Sequence, residues 1–356
     1  MKLYRKITEL LILMLIAATL SAQDNNCYIR KTFAVKMGNT LRLSNKYGDV
    51  NIITVKDDSL SVCATITIVQ DDHDLALNSK KLVTISLEKL KDTVYVSTLF
   101  DKKFFSEEFR QGRKSFNIDY LIKVPAYMDI SIIDEFGNIA VEELTGTLNL
   151  RLSQGVLSAK RLTKGNVKPI STIYVDHGKV NIDELNWMTL TLLNCSSVNI
   201  EKAQALMITS SISKIRLGDI SSLVINSKSD SYTIKSINNI LSESTYSEFD
   251  IGKLDGQLKS KAIYGSINIS DLNKGFSSID IVSGQSQITL KTGQGLSFLT
   301  DIIATDAMVD FPSIKYPGIK KTESNYSNTF LGTTGVDKKT KSLIRIRTTS
   351  GKLSIQ

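Results

Sequence analysis

The chain has 356 residues, 42% of them apolar, which is enough to build a core and too much for a disordered tail. Its net charge of +8 is spread among mixed signs rather than gathered into a stripe, which argues against a nucleic-acid partner and is compatible with an anionic envelope surface or glycan as well as with a plain soluble exported protein. Three cysteines, Cys27, Cys63 and Cys195, are too few and too far apart for a disulfide framework, leave at least one thiol unpaired and offer no metal cluster.

Residues 1–22 have the layout of a secretory signal peptide. Lys2, Arg5 and Lys6 precede an apolar run over 10–20, and Leu20-Ser21-Ala22 stands before Gln23. The run is shorter than the roughly 20 apolar residues that span a bilayer, and no later segment qualifies as a transmembrane helix. Cleavage removes three positive charges and Glu9, leaving +6. Gln23, not cysteine, follows the cleavage site, so no lipid anchor is expected. The expected location is outside the inner membrane, in the periplasm or associated with the outer membrane or cell surface.

Further along, NKYGDVNI at 45–52 introduces a pattern, G-x-[VI]-x-[IL], whose branched residues share one face of a strand. It returns after Gly137, Gly178 and Gly265 and, with looser apolar residues or a small polar residue in place of glycine, after Gly155, Ser196, Ser213, Asp230, Ser247 and Ser286. Successive spacings from Gly137 are 18, 23, 18, 17, 17, 17, 18 and 21 residues. A second apolar group falls between these strands, for example Leu185, Leu190 and Leu192, so each repeat is expected to supply two short strands and two turns. Alternation and abundant Ile, Val, Ser and Thr exclude a helical repeat. The fold predicted is mainly β, a single-stranded β-solenoid of 17–18-residue coils whose apolar residues are buried only by stacking.

The first coil and its cap occupy 23–130, the solenoid repeats 131–311, and capping strands 312–356. Within the first region, an α+β insertion from residue 53 reads as a strand over 60–69, a short helix over 74–81, strands near 83–87 and 93–99, and a strand over 116–124. At the other end SGKLSIQ restates the glycine strand once more at Gly351. The residues between the branched positions, Asn51, Ala140, Ser158, Asn181, Asn199, Arg216, Thr233, Asp250, Asn268 and Thr289, form an outward polar ladder, either a solvated face or a surface for an extended glycan or peptide.

An exported chain with YGDVNI near its start, an α+β excursion, the SFNIDYLIKVP strand at 115–125 and the EFGNIAVEELTG restart at 135–146 resembles the bacterial adhesin-domain family of unknown function, DUF4097, as found in Bacteroidetes-like envelopes. The resemblance rests most on Tyr47-Gly48, Phe136-Gly137 and Tyr264-Gly265. It implies a β-solenoid in the cell envelope and carries over no catalytic residue.

Candidate chemistry is sparse. His177, in Asp176-His177-Gly178, holds the pre-glycine place of Tyr47, Phe136, Tyr246 and Tyr264 and reads as a corner ring rather than a catalyst. Cys195, just before Ser196, falls in the same column. Asp71, Asp72, His73 and Asp74 could gather a cation, and equally fit a capped helix start. The glycines lack the spacing of a phosphate cradle, and no cofactor is expected. KKFFSEEFRQGRK at 102–114 interleaves Phe104, Phe105 and Phe109 with Arg110 and its basic neighbours. Exposed, its rings suit a membrane surface or a sugar; folded back, they pack on the first coil, the fate expected for at least one of them. The function expected is that of a non-enzymatic binding, adhesion-like or structural module of the envelope, whose partner is an envelope component such as a glycan or surface polymer. The alternatives are a carbohydrate-active β-helix enzyme and an envelope-stress sensing component.

Overall fold

The structure is a computed structural model describing residues 27–293 and 295–356. The signal-peptide reading over 1–22 lies outside the described residues. The chain is a mainly β protein of solenoid type, and it packs as two units divided between Ala140 and Val141.

In the N-terminal unit, the first coil is formed by strands Thr40–Lys46 and Val50–Val55. Strand Thr93–Phe100 runs parallel beside the former, and Arg113–Pro125 parallel beside the latter. Val94 and Val96 thus cover Leu41 and Leu43, while Tyr120 and Ile122 cover Val50 and Ile52. The insertion supplies a surrogate coil from its own strands. Each surrogate strand then takes an antiparallel neighbour, Val83–Leu90 on one and Ser59–Gln70 on the other, so the solenoid edge does not end on a bare row of parallel donors and acceptors. Helix His73–Lys81 begins where the Asp72 carboxylate accepts from Leu75 N at 2.9 Å, with Asp74 in its first turn and Lys80 and Lys81 in its last, each charge opposing the helix dipole.

Strand Ile29–Ala34 is antiparallel to Ser59–Gln70, with Arg30 opposite Cys63, and a disulfide joins Cys27 to Cys63. Closing a 36-residue separation removes enough chain entropy from the unfolded state to contribute about 4 kcal/mol. Thiol reduction is therefore expected to lower the stability of this unit by about that amount, read as a shift in the urea midpoint that a Cys27→Ser, Cys63→Ser double variant reproduces without reductant.

In the C-terminal unit the central coils are single bent strands of 15 or 16 residues, Lys179–Leu193, Ser197–Ser211, Lys214–Lys228, Ser231–Thr245 and Glu248–Ile263, rather than pairs of short strands. Strict alternation would send every second side chain inward, but in Lys214–Lys228 the buried positions are 215, 217, 220, 223, 225 and 227. The two three-residue steps are the bends, and hydrogen bonding to the next coil continues on both sides of each. Neighbouring coils stay in register, so Val180, Val198, Ile215, Tyr232, Phe249, Ile267 and Ile288 form one buried column. The long spacings of 23 and 21 residues reflect the connections 163–170 and 270–277 between strands, not altered coils. The intervening polar ladder faces outward, tied in places by side-chain bonds such as Asn199 Nδ2 to Asn181 Oδ1 at 2.8 Å.

The corner assigns two jobs to two residues. The left-handed conformation belongs to the residue before the glycine: Tyr47 (φ 66°) and Phe136 (φ 61°) in the first unit, and Gln154, His177, Ile212, Ser229, Tyr246, Tyr264, Gln285 and Ser350 in the second. The glycine serves close approach instead: a Cβ on Gly265 would lie 2.1 Å from the Ser247 carbonyl oxygen, and one on Gly351 2.2 Å from that of Ser286. Gly48, Gly137, Gly155 and Gly178 occupy the same position after their corners. Where serine or aspartate stands there, the side chain caps the coil below: Cys195 N donates to Ser213 Oγ, Ser213 N to Asp230 Oδ1, Asp230 N to Ser247 Oγ and Gly265 N to Ser286 Oγ.

One repeat is shifted from its expected place. Asn194, not Cys195, takes the left-handed position (φ 53°), and Cys195 is buried in the glycine column while Ser196 is exposed. The corner there has one extra residue before Val198, which sequence spacing alone assigns to the wrong side.

The C-terminal segment also departs from a simple cap. Strands Leu343–Thr349 and Lys352–Ile355 lie between Ser278–Gly284 and Gln287–Leu290 on one side and Phe298–Thr305 and Met308–Asp310 on the other. The last strands in sequence are thus the next-to-last coil in space. The edge of Phe298–Thr305 is closed by Ser327–Thr334, an antiparallel strand that in turn pairs with Ile319–Glu323.

Candidate functional site

The side chains best placed to meet a ligand lie in the N-terminal unit, on the excursion 101–117 and the two corner rings beside it. The Asp101 carboxylate accepts from Lys103 N at 2.8 Å and starts the short 3-10 turn Lys102–Phe105. That turn sends Phe104 inward, where it is fully buried, and leaves Phe105 44% exposed. The helix Glu107–Arg110 follows, and Gly112 (φ 65°) reverses the chain into strand Arg113–Pro125. Gln70 pins the loop by donating to the carbonyls of Phe109 (3.1 Å) and Gln111 (2.7 Å).

Arg113 is the post around which this loop is folded. Its guanidinium lies 3.9 Å from the centroid of the Phe104 ring and donates to the carbonyls of Phe104 (3.0 Å) and Phe109 (2.7 Å). Its buried Nε has no hydrogen-bond partner among the described residues. Burial lowers the Arg113 pKa, and the neighbouring charge of Arg110 lowers it further.

Opposite the loop stand the corner rings. Tyr47 and Phe136 stack with centroids 5.2 Å apart and planes 9° from parallel, an arrangement fixed by their shared left-handed corner geometry. Lys46 Nζ sits over both, 5.2 and 5.5 Å from the centroids, and pairs with Glu135 at 3.0 Å, which raises the Lys46 pKa. Phe116 meets Tyr47 edge-on at 5.0 Å. The result is a groove of about 450 Å³ lined by Tyr47, Phe105, Phe116, Phe136, Arg110, Arg113, Lys114, Ser115 and Asn117. Its volume falls in the range of small-molecule sites, roughly 300–1,000 Å³.

Of the four side chains singled out from sequence, Phe105 and Arg110 line this groove. Phe104 packs beneath it, and Phe109 contributes its carbonyl to the loop rather than its ring to the wall. Arg113, Lys114 and Phe116 were not singled out, although the first two end the same basic stretch. Tyr47 and Phe136 read as corner residues only, because nothing in a linear pattern shows that the loop folds against them.

The remaining chemical candidates find other uses. His177 Nδ1 lies 2.8 Å from Asp176 Oδ1 on an exposed corner. The Cys195 thiol donates toward the carbonyls of Val175 and Leu193, and burial pushes its pKa up, so it is held as a thiol and not as a nucleophilic thiolate. Asp72 caps its helix, while Asp71 pairs with Lys114. Among the described residues no three His, Cys, Asp or Glu side chains converge as a metal site would require, and no helix is long and apolar enough to cross a membrane.

No family model matches the chain, and no curated protein does. Solved structures that show similarity include two bacterial proteins. One is a "putative cell adhesion protein" from Clostridium sporogenes, 10% identical, covering 92% of this chain and 98% of that one with a TM-score of 0.19. The other is a "putative adhesin" from Bacteroides fragilis, 11% identical, covering 92% and 96% with a TM-score of 0.27. Superpositions this loose transfer neither a residue nor a role.

Proposed function

We propose that this chain is an exported, non-enzymatic binding module of the cell envelope that holds a surface polymer in the groove between Phe105 and the Tyr47–Phe136 pair. The observation that carries this reading is the groove itself: partly exposed ring faces and cations share one concavity. Flat aromatic faces bury the apolar side of a sugar ring, and the neighbouring donors satisfy its oxygens. A glycosidase needs two carboxylates flanking the scissile bond, whereas this groove presents cations and rings there. The secretory pattern over 1–22 and the disulfide support an oxidising compartment outside the inner membrane.

The test is affinity electrophoresis of the purified protein through gels containing envelope and extracellular polysaccharides, neutral and acidic, with analysis of the polymers afterwards. Retention by at least one polymer is expected, with polymer length unchanged, and Phe105→Ala is expected to weaken retention about tenfold, the equivalent of one lost ring contact. Retention by none of the polymers, or shortening of a polymer chain, would overturn the proposal.

A further inference from the structure

We infer that the groove selects an acidic sugar, the anionic substituent of a pyranose unit docking on Arg110 and Arg113 while the apolar face of the ring lies on Phe105. This deepens the reading above and rests on it. Three cations from one short stretch line the groove, and they differ in how they are balanced. Lys114 has a carboxylate partner, Asp71, at 2.5 Å. Among the described residues Arg110 and Arg113 have none; the guanidinium of Arg113 donates to neutral acceptors, the carbonyls of Phe104 and Phe109 and the Ser79 hydroxyl.

Two arginines that line one concavity repel each other, and the partly buried one has exchanged water for carbonyl oxygens that cancel no charge. An oxyanion placed between them removes the repulsion and gains charge-assisted hydrogen bonds, which a neutral sugar hydroxyl supplies only weakly. The rings set the rest of the ligand. Phe104 is fully buried and Phe105 half exposed beside arginines in the same hollow, so the aromatic surface is recessed among charges rather than projected as a wedge into lipid. A flat ring with an anion at its edge matches that arrangement.

Matched polymers that differ only in charge provide the test. Polygalacturonate is compared with its fully methyl-esterified form, dextran sulfate with dextran, and phosphomannan with mannan, so that carboxylate, sulfate and phosphate are distinguished. At least one charged member is expected to bind ten or more times more tightly than its neutral partner. Arg110→Gln is expected to erase most of that advantage, while Lys228→Gln, an equal loss of charge on the other unit, leaves it intact. Equal binding of charged and neutral partners, with Phe105→Ala still weakening both, would overturn this inference and leave the polymer-binding reading standing. Equal losses from Arg110→Gln and Lys228→Gln would also overturn it, since the preference would then be one of overall charge. Binding to none of the six would sink both.

Discussion

Ile267→Asp is expected to destabilise the C-terminal unit by about 3–5 kcal/mol, the cost of an uncompensated buried charge, on top of the lost apolar contacts. Ile267 is 1% exposed and sits in the column between Phe249 and Ile288. The coils on both sides are in register, so the carboxylate would meet side chains of its own column and no water. Thr209→Asp is the matched control: it is exposed, between Thr191 and Asn226, and is expected to change stability by no more than about 0.5 kcal/mol. Urea midpoints of the two variants measure the difference. A cooperative Ile267→Asp protein with the parent midpoint would mean that the inward and outward faces are reversed.

Asp134→Asn is expected to do the opposite, stabilising the N-terminal unit above neutral pH. Asp134 is fully buried, opposite Asn45 in the strand register, and neither carboxylate oxygen has a hydrogen-bond partner among the described residues. Burial pushes its pKa up to about 7, with the charges of Asp49 and Glu135 adding to the shift. The unfolded carboxyl titrates near 3.9. The folded state therefore binds the proton more tightly, and the stability this group contributes is fully present below about pH 4, declines as pH rises and is gone above about pH 7. Three pKa units correspond to about 4 kcal/mol, the most that the asparagine can recover at pH 8. The variant and parent should converge near pH 4 and separate progressively toward pH 8 in urea titrations. A constant difference across that range would show that Asp134 is not the titrating group. Asp230 makes the contrast within the same fold: its buried carboxyl group accepts from Ser213 N, Ser210 Oγ, Ser227 Oγ and Lys228 N, so neither of its oxygens lacks a donor.

The Asp134 effect is tied to the corner geometry that also shapes the groove. Gly137 leaves no room beneath it: an added Cβ would lie 1.9 Å from the Gly48 carbonyl oxygen and 2.6 Å from Asp134 Oδ2. The residues before these two glycines, Tyr47 and Phe136, are held in a left-handed conformation that costs on the order of 1–3 kcal/mol each, and their stacked rings wall the groove. A change in the charge of Asp134 thus acts directly below a groove wall.

The repeat was legible because an in-register coil asks the same thing of the same position every turn: branched residues inward, a polar residue outward, and a small residue where two backbones meet. That local demand located Val50, Ile139, Val180 and Ile267 on the buried face. It misplaced Cys195 because an inserted corner residue leaves the composition of the pattern intact while moving its phase by one. It also shows the serines of the glycine column only as small replacements for glycine, whereas the hydroxyls of Ser213, Ser247 and Ser286 cap the coil below.

What tertiary structure alone decided is whatever joins residues that are far apart along the chain. The Cys27–Cys63 bond follows from the antiparallel register that sets Arg30 beside Cys63, and the threading of the last strands follows from which edges remained open to receive them. The groove is of the same kind: Tyr47 and Phe136 are corners of successive coils, and the loop carrying Phe105, Arg110 and Arg113 reaches them only through the inserted strands. Periodicity in the sequence therefore determined the coil and its faces, because coil burial depends on nearest positions. The site depends on a loop whose own residues carry no period, and only its folding against the first corner brought cations and rings into one hollow.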